Sequence, residues 1–216
     1  MFWGKNASFY KGKLMNKLRR TLLAAPLLLA ALGGHALRAE PLSLDQISEF
    51  WNGLQTAEGT FTQIASDGTM SSGTLYIKRP GRIRFEYDPP EEAMVIAGGG
   101  SLAIFDPRSN TGPDRYPLSE TPLSIILRRE VDLSDEKMLV DHRSDGVTTQ
   151  ITLQDPDHPE YGNIKLVFTD PPMLNQWIIT DNAGGQTTMV LNTLRIGGRV
   201  PERLFNIIAE ERDWQK

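Results

Sequence analysis

Residues 73–90 read GTLYIKRPGRIRFEYDPP. Arg79-Pro80-Gly81 is a turn signal between two short runs rich in β-formers. In the second run Ile83, Phe85 and Tyr87 alternate with Arg82, Arg84 and Glu86. Alternation with a period of two gives a strand one apolar and one polar face, so the stretch predicts two antiparallel strands with a half-buried surface. On this reading Arg82 and Arg84 share a solvated face.

The same pattern spreads in both directions. Strands are expected at 58–65, 73–78, 82–87, 93–97 and 101–105, separated by Gly68, Pro80-Gly81, Pro89-Pro90 and Gly98-Gly99-Gly100. After a middle segment they resume at 137–142, 147–153, 163–169, 174–180 and 186–196, with turns at Asp145-Gly146, Asp155-Pro156-Asp157, Asp170-Pro171-Pro172 and 181–185. Short strands joined by short turns form an antiparallel meander. Two stretches break the period. Leu44, Ile47, Trp51 and Leu54 make one apolar stripe of a helix over 42–54, with Ser43 and Gln46 spaced for a capping box. Residues 121–127, TPLSIIL, read as a short apolar helix with Thr121 as its cap and Pro122 at its first position.

Composition narrows the function. Residues 1–39 hold seven of the 23 basic side chains (Lys5, Lys11, Lys13, Lys17, Arg19, Arg20, Arg38) and none of the 27 acidic ones. The apolar run Leu22–Leu32 is too short to span a bilayer, and small residues follow it, as in a secretory signal peptide cut after Ala36 or Ala39. Met15 opens a complete leader by itself, so residues 1–14 read as an upstream extension. The remaining chain, 40–216, has the length of one domain. It carries 16 basic and 27 acidic side chains, a net charge of −11, which repels nucleic acid and anionic surfaces. With no cysteine, an exported chain of this kind is held by packing alone.

The constellations that carry chemistry are missing from the sequence. There is no thiol nucleophile, G-x-S-x-G elbow, P-loop or H-E-x-x-H, and His142 and His158 are the only histidines after residue 39. Neither catalysis nor a cofactor is expected. Residues 155–160, DPDHPE, suit a proline-rich turn better than a metal loop. Two features remain. Arg79 stands at a strand end just before Pro80, where its five donors can reach carbonyls across the mouth of a sheet. The apolar side chains are also numerous for one sheet. Trp51, Phe61, Tyr76, Ile83, Phe85, Met94, Ile96, Leu102, Ile104, Ile125, Ile126 and Trp177 suit either a filled core or a sheet curled around an acyl-chain cavity.

The order GTFTQ (59–63), then 73–90, then LAIFDP (102–107) and TPLSIIL (121–127) resembles the LolA family of periplasmic lipoprotein carriers. The similarity runs on through WIITD (177–181) and Gly185-Gln186-Thr187 and covers nearly all of 40–216. The resemblance implies a strongly curved, incomplete antiparallel β-barrel of ten or eleven strands. Its N-terminal helix and short central helices act as a lid over a hydrophobic cavity. It implies a monomeric periplasmic carrier. Acylated lipoproteins come from an inner-membrane ABC-type releasing complex and pass to an outer-membrane receptor. It makes Arg79 the lid latch and puts Ile83 where the family usually has a bulky aromatic or Met. The family's terminal Pro pair is missing from 204–211, LFNIIAEE.

Overall fold

The computed structural model describes residues 40–109, 111–134 and 137–214. The expected signal peptide and the extension 1–14 lie outside the described residues. Helix α1 (Leu44–Gly53) comes first, with both halves of the capping box formed. Gln46 N donates to Ser43 Oγ at 3.2 Å, and Ser43 N to Gln46 Oε1 at 2.8 Å. Ile47 and Trp51 are its buried stripe. Eleven strands follow: β1 (Thr56–Ile64), β2 (Met70–Lys78), β3 (Ile83–Tyr87), β4 (Met94–Gly98), β5 (Ser101–Phe105), β6 (Asp114–Pro117), β7 (Leu139–Ser144), β8 (Thr148–Gln154), β9 (Asn163–Thr169), β10 (Met173–Thr180) and β11 (Gln186–Ile196). All join one antiparallel sheet in the order β6-β5-β4-β3-β2-β1-β11-β10-β9-β8-β7. The expected strands are recovered with ends shifted by a few residues. Strand β6 was not foreseen, because DRYP offers neither alternation nor burial.

Pairing of β1 with β11 closes the long way round, so β6 and β7 are left as free edges of an incomplete barrel. Between the two edges, the described residues 118–134 and 137–138 lie on the concave side. They contain a 3₁₀ turn (Leu118–Glu120) and helix α2 (Leu123–Ile126). Pro122 caps α2, and the Thr121 hydroxyl donates to the Leu118 carbonyl, so Thr121 does not cap as expected. Leu118, Leu123, Ile125, Ile126, Leu127, Val131, Leu133 and Met138 bury themselves with α1 in the main core.

A second covering element was not read from the sequence at all. After β11, residues 202–205 make a 3₁₀ turn and Ile207–Trp214 form helix α3. They lie on the opposite, convex side and bury a separate cluster of Met94, Ile96, Ala103, Phe105, Val200, Phe205 and Ile207. Gly98 permits the crossing, since a Cβ there would meet the Phe205 carbonyl oxygen at 2.3 Å.

Candidate functional site

The strand register sorts the expected cavity residues by face. Residues facing each other across β2, β3, β4 and β5 form rows that alternate between the two sides of the sheet. Ile77, Ile83, Ala97 and Leu102 make one concave row, and Leu75, Phe85, Val95 and Ile104 the next. Tyr76, Arg84, Ile96 and Ala103 lie between them and point to the convex side. Trp51, Phe61, Ile83, Phe85, Leu102, Ile125, Ile126 and Trp177 therefore belong to the concave core. Ile104 shares that face and is half-buried. Tyr76, Met94 and Ile96 do not belong there; they join the cluster under α3. The correction has a simple cause. Strand β4, MVIAG, is apolar at successive positions, so alternation cannot say which set faces inward.

The concave core is filled. Trp51, Phe61, Ile83, Ile125, Ile126 and Trp177 are at most 1 % exposed. Phe61 meets Phe85 edge-on at 5.5 Å between ring centroids, and Phe85 meets Trp177 at 6.2 Å. Phe50 of α1 stands edge-on to Phe168 at 5.5 Å. The space expected to be a hollow is occupied here by side chains that α1 and α2 bring into it.

What holds those helices down is concentrated at the β2–β3 turn. Arg79 is 4 % exposed, and among the described residues its guanidinium donates to backbone carbonyls alone. Nη1 reaches Trp51 O and, at 3.5 Å, Leu54 O, both at the end of α1. Nε and Nη2 reach Arg128 O at 3.2 and 2.6 Å, and Nη2 reaches Arg129 O at 3.5 Å. The group lies 6.0 Å from the centre of the Trp51 ring. Two backbone bonds support it: Arg79 N to Gln55 O at 2.9 Å and Gly81 N to Leu127 O at 2.8 Å. Gly81 adopts φ +72°, which a side chain would resist. Burial pulls the Arg79 guanidinium down to about 10. One side chain thus ties both halves of the concave cover to the barrel.

The chain belongs to the LolA family. The family model described as outer membrane lipoprotein carrier protein LolA matches residues 52–208. Similar proteins include the outer-membrane lipoprotein carrier proteins of Pseudomonas entomophila, 24 % identical over 194 residues, covering 86 % of this chain and 92 % of that one. The one from Methylococcus capsulatus is 26 % identical over 195 residues, covering 86 % and 91 %. Among solved structures, a LolA superfamily protein from Nitrosomonas europaea aligns with a TM-score of 0.40 and 13 % identity over 76 % of this chain and 98 % of that one.

In this LolA-family chain the convex side is fastened by different chemistry. Arg84, expected in solvent, is 6 % exposed. Its Nε pairs with Glu86 at 2.6 Å, and Nη1 pairs with Glu210 at 2.8 Å and donates to Leu204 O at 3.0 Å. Glu202 takes Lys78 at 2.8 Å and Arg82 at 2.6 Å, and Arg115 pairs with Glu211. Burial pulls the Arg84 guanidinium down, but the bonds from Glu210 and Glu86 outweigh it and raise it overall. Lys78, Arg82 and Arg84 are thus met by Glu202 and Glu210, far along the chain. The turn at 155–160 is built from side-chain bonds: Asp155 accepts from Asp157 N at 3.0 Å and pairs with Arg128 at 3.4 Å, and His158 pairs with Glu160 at 3.1 Å. Sequence reading also missed Asn52, whose amide bonds both ways to Val131 at 2.9 Å. An Asn at a helix end reads as a solvated cap until its partner is known.

Proposed function

We propose that this chain carries acylated lipoproteins through the periplasm, taking them from an inner-membrane ABC-type releasing complex and passing them to an outer-membrane receptor. It works as a monomer, follows export by a cleavable signal peptide, handles no nucleic acid and catalyses no reaction. The observation that carries the reading is the buried Arg79, bonded among the described residues only to carbonyls, fastening a largely apolar cover over an apolar concave sheet. The carrier names of the relatives support it.

The energetics suit such a task. Each acyl CH₂ in water costs about 0.8 kcal/mol, so two or three long chains meet a barrier of roughly 20–30 kcal/mol in the aqueous gap. A carrier must bury them and still let go. Here the acceptor space is made when α1 withdraws Ile47, Trp51 and Leu54, and α2 withdraws Leu123, Ile125 and Ile126. Acyl chains then replace one apolar surface by another, at little net hydrophobic change. The Arg79 bonds are what must be broken. Together the Arg79 bonds stabilise the closed form by about 1.5–3 kcal/mol, so the loaded form stands above the closed one and favours release.

Spheroplasts incubated with the protein test the reading. Lipoproteins are expected in the soluble fraction, complexed with it. Phospholipid alone in that fraction would make it a free-lipid carrier, and neither would leave a sensor domain on the same fold. Arg79→Leu is expected to accept lipoprotein and transfer it poorly; normal transfer by that variant overturns the latch.

A further inference from the structure

Arg79 is not the only link between the two halves of the concave cover. Four hydrogen bonds join α1 directly to residues 126–133, and none involves a strand. Asn52 Nδ2 donates to Val131 O, and Asn52 Oδ1 accepts from Val131 N, each at 2.9 Å. Ser48 Oγ accepts from Leu133 N at 3.1 Å, and Trp51 Nε1 donates to Ile126 O at 2.6 Å. Ser48, Trp51 and Asn52 stand at i, i+3 and i+4, so one helix face presents all three to the incoming chain.

The outer attachments of this assembly are elsewhere. Leu42, just before α1, is buried and strapped to β7–β8. Its N–H donates to Thr149 Oγ1 at 2.9 Å and its carbonyl lies 2.9 Å from His142 Nε2. At the far end Gln154 N, at the end of β8, donates to Met138 O at 2.9 Å. Both tethers therefore sit on the β7–β8 edge, while the Arg79 latch sits on the β2–β3 turn. The segment's earlier part is pinned by Leu118 N to Gly100 O at 2.9 Å.

We propose that Asn52 and Ser48 are positioning residues that make α1 and residues 123–133 one rigid flap, so that losing the Arg79 bonds lifts both together. Pulling the halves apart strands the Val131 N–H and C=O and the Leu133 N–H beneath apolar side chains, and unmade bonds of that kind are costly. Lifting them together keeps all four bonds. The role rests on the carrier reading for its purpose, but the coupling itself belongs to the empty protein.

Amide hydrogen exchange on the cargo-free protein measures it. Leu54 N bonds to Phe50 O inside α1, and Leu127 N to Leu123 O inside α2, so each reports its own half without touching Asn52 or Ser48. In Arg79→Leu both amides are expected to exchange faster by one common factor, about tenfold or more. Adding Asn52→Leu is expected to separate the two factors by about fivefold or more. Ser48→Ala on the Arg79→Leu background is expected to separate them less, and Ser48→Thr, which keeps the oxygen, to restore the common factor. The Ser48 pair decides the matter if Asn52→Leu does not fold. Unequal factors in Arg79→Leu alone, or equal factors after Asn52 or Ser48 is removed, overturn the proposal. Because no lipoprotein is present, these outcomes are independent of the spheroplast result.

Discussion

The two faces of this sheet are covered by short helices fastened in opposite ways. On the concave side the cover is held by a buried guanidinium that, among the described residues, meets only carbonyls. On the convex side α3 and the turn before it are held by carboxylates: Glu210 on Arg84, Glu202 on Lys78 and Arg82, and Glu211 on Arg115. A buried cation without an anion carries an uncompensated desolvation penalty, so its closed state is shallow. A buried cation flanked by two carboxylates has no better alternative. The contrast suits the proposed function: on that reading the concave cover is the flap that opens and the convex one is part of the wall.

The largest effect is expected at Phe105, which is fully buried in the convex cluster with its ring centroid 5.3 Å from that of Trp214. Phe105→Ala is expected to remove about 3–5 kcal/mol of unfolding free energy, read from the urea midpoint at unchanged slope. A small loss would mean that α3 is an appendage and not wall. Next comes Arg84→Ala. Its partners Glu86 and Glu210 are 40 % and 26 % exposed, so the full penalty of a broken buried pair is discounted to about 2–3 kcal/mol, again global. Arg79→Leu sharpens the comparison most. It is expected to favour opening by about 1.5–3 kcal/mol, seen as stronger binding of an apolar dye, and to lower the urea midpoint only until the open form becomes the ground state. If Arg79→Leu and Arg84→Ala shifted the midpoint equally, the division into flap and wall would fail.

Acidity gives the smallest effect. The bond from Lys78 above all, with help from Arg82, holds the Glu202 carboxyl below its ordinary 4.5 despite the opposing effect of burial. A lowered acid contributes fully above its unfolded value and loses that contribution as pH falls through the lowered one. The convex fastening is therefore expected to weaken only below about pH 4.5. Arg79, at about 10, is protonated in closed and open forms alike below about pH 9, so dye binding should stay flat from about pH 5 to 9. A flap that opened on mild acidification would contradict this. Salt is the parallel probe, since the exposed Glu202 pairs are screened at 1 M and the carbonyl bonds are not.

Local pattern was enough for much of this molecule. The strand read from alternation in 82–87, turn residues such as Asp145-Gly146, and the capping box of Ser43 and Gln46 each depend on a few neighbouring residues and came out in the structure, although the solvated face expected for Arg84 did not. Arg79 was legible as a special residue because Pro80 follows it. Helix α3 was not, because IIAEERDW has too few apolar positions to announce a buried stripe and gains its burial from Phe105 and Ile96 across the chain.

What the sequence determined by itself is therefore the set of strands and the existence of two kinds of face, since backbone geometry forces side chains to alternate. Which face lies inside was decided only in three dimensions. Met94 and Ile96 face outward, and Arg84 is buried, because the 200–214 segment returns over them. Burial depends on what arrives from far along the chain, and no short-range pattern records that.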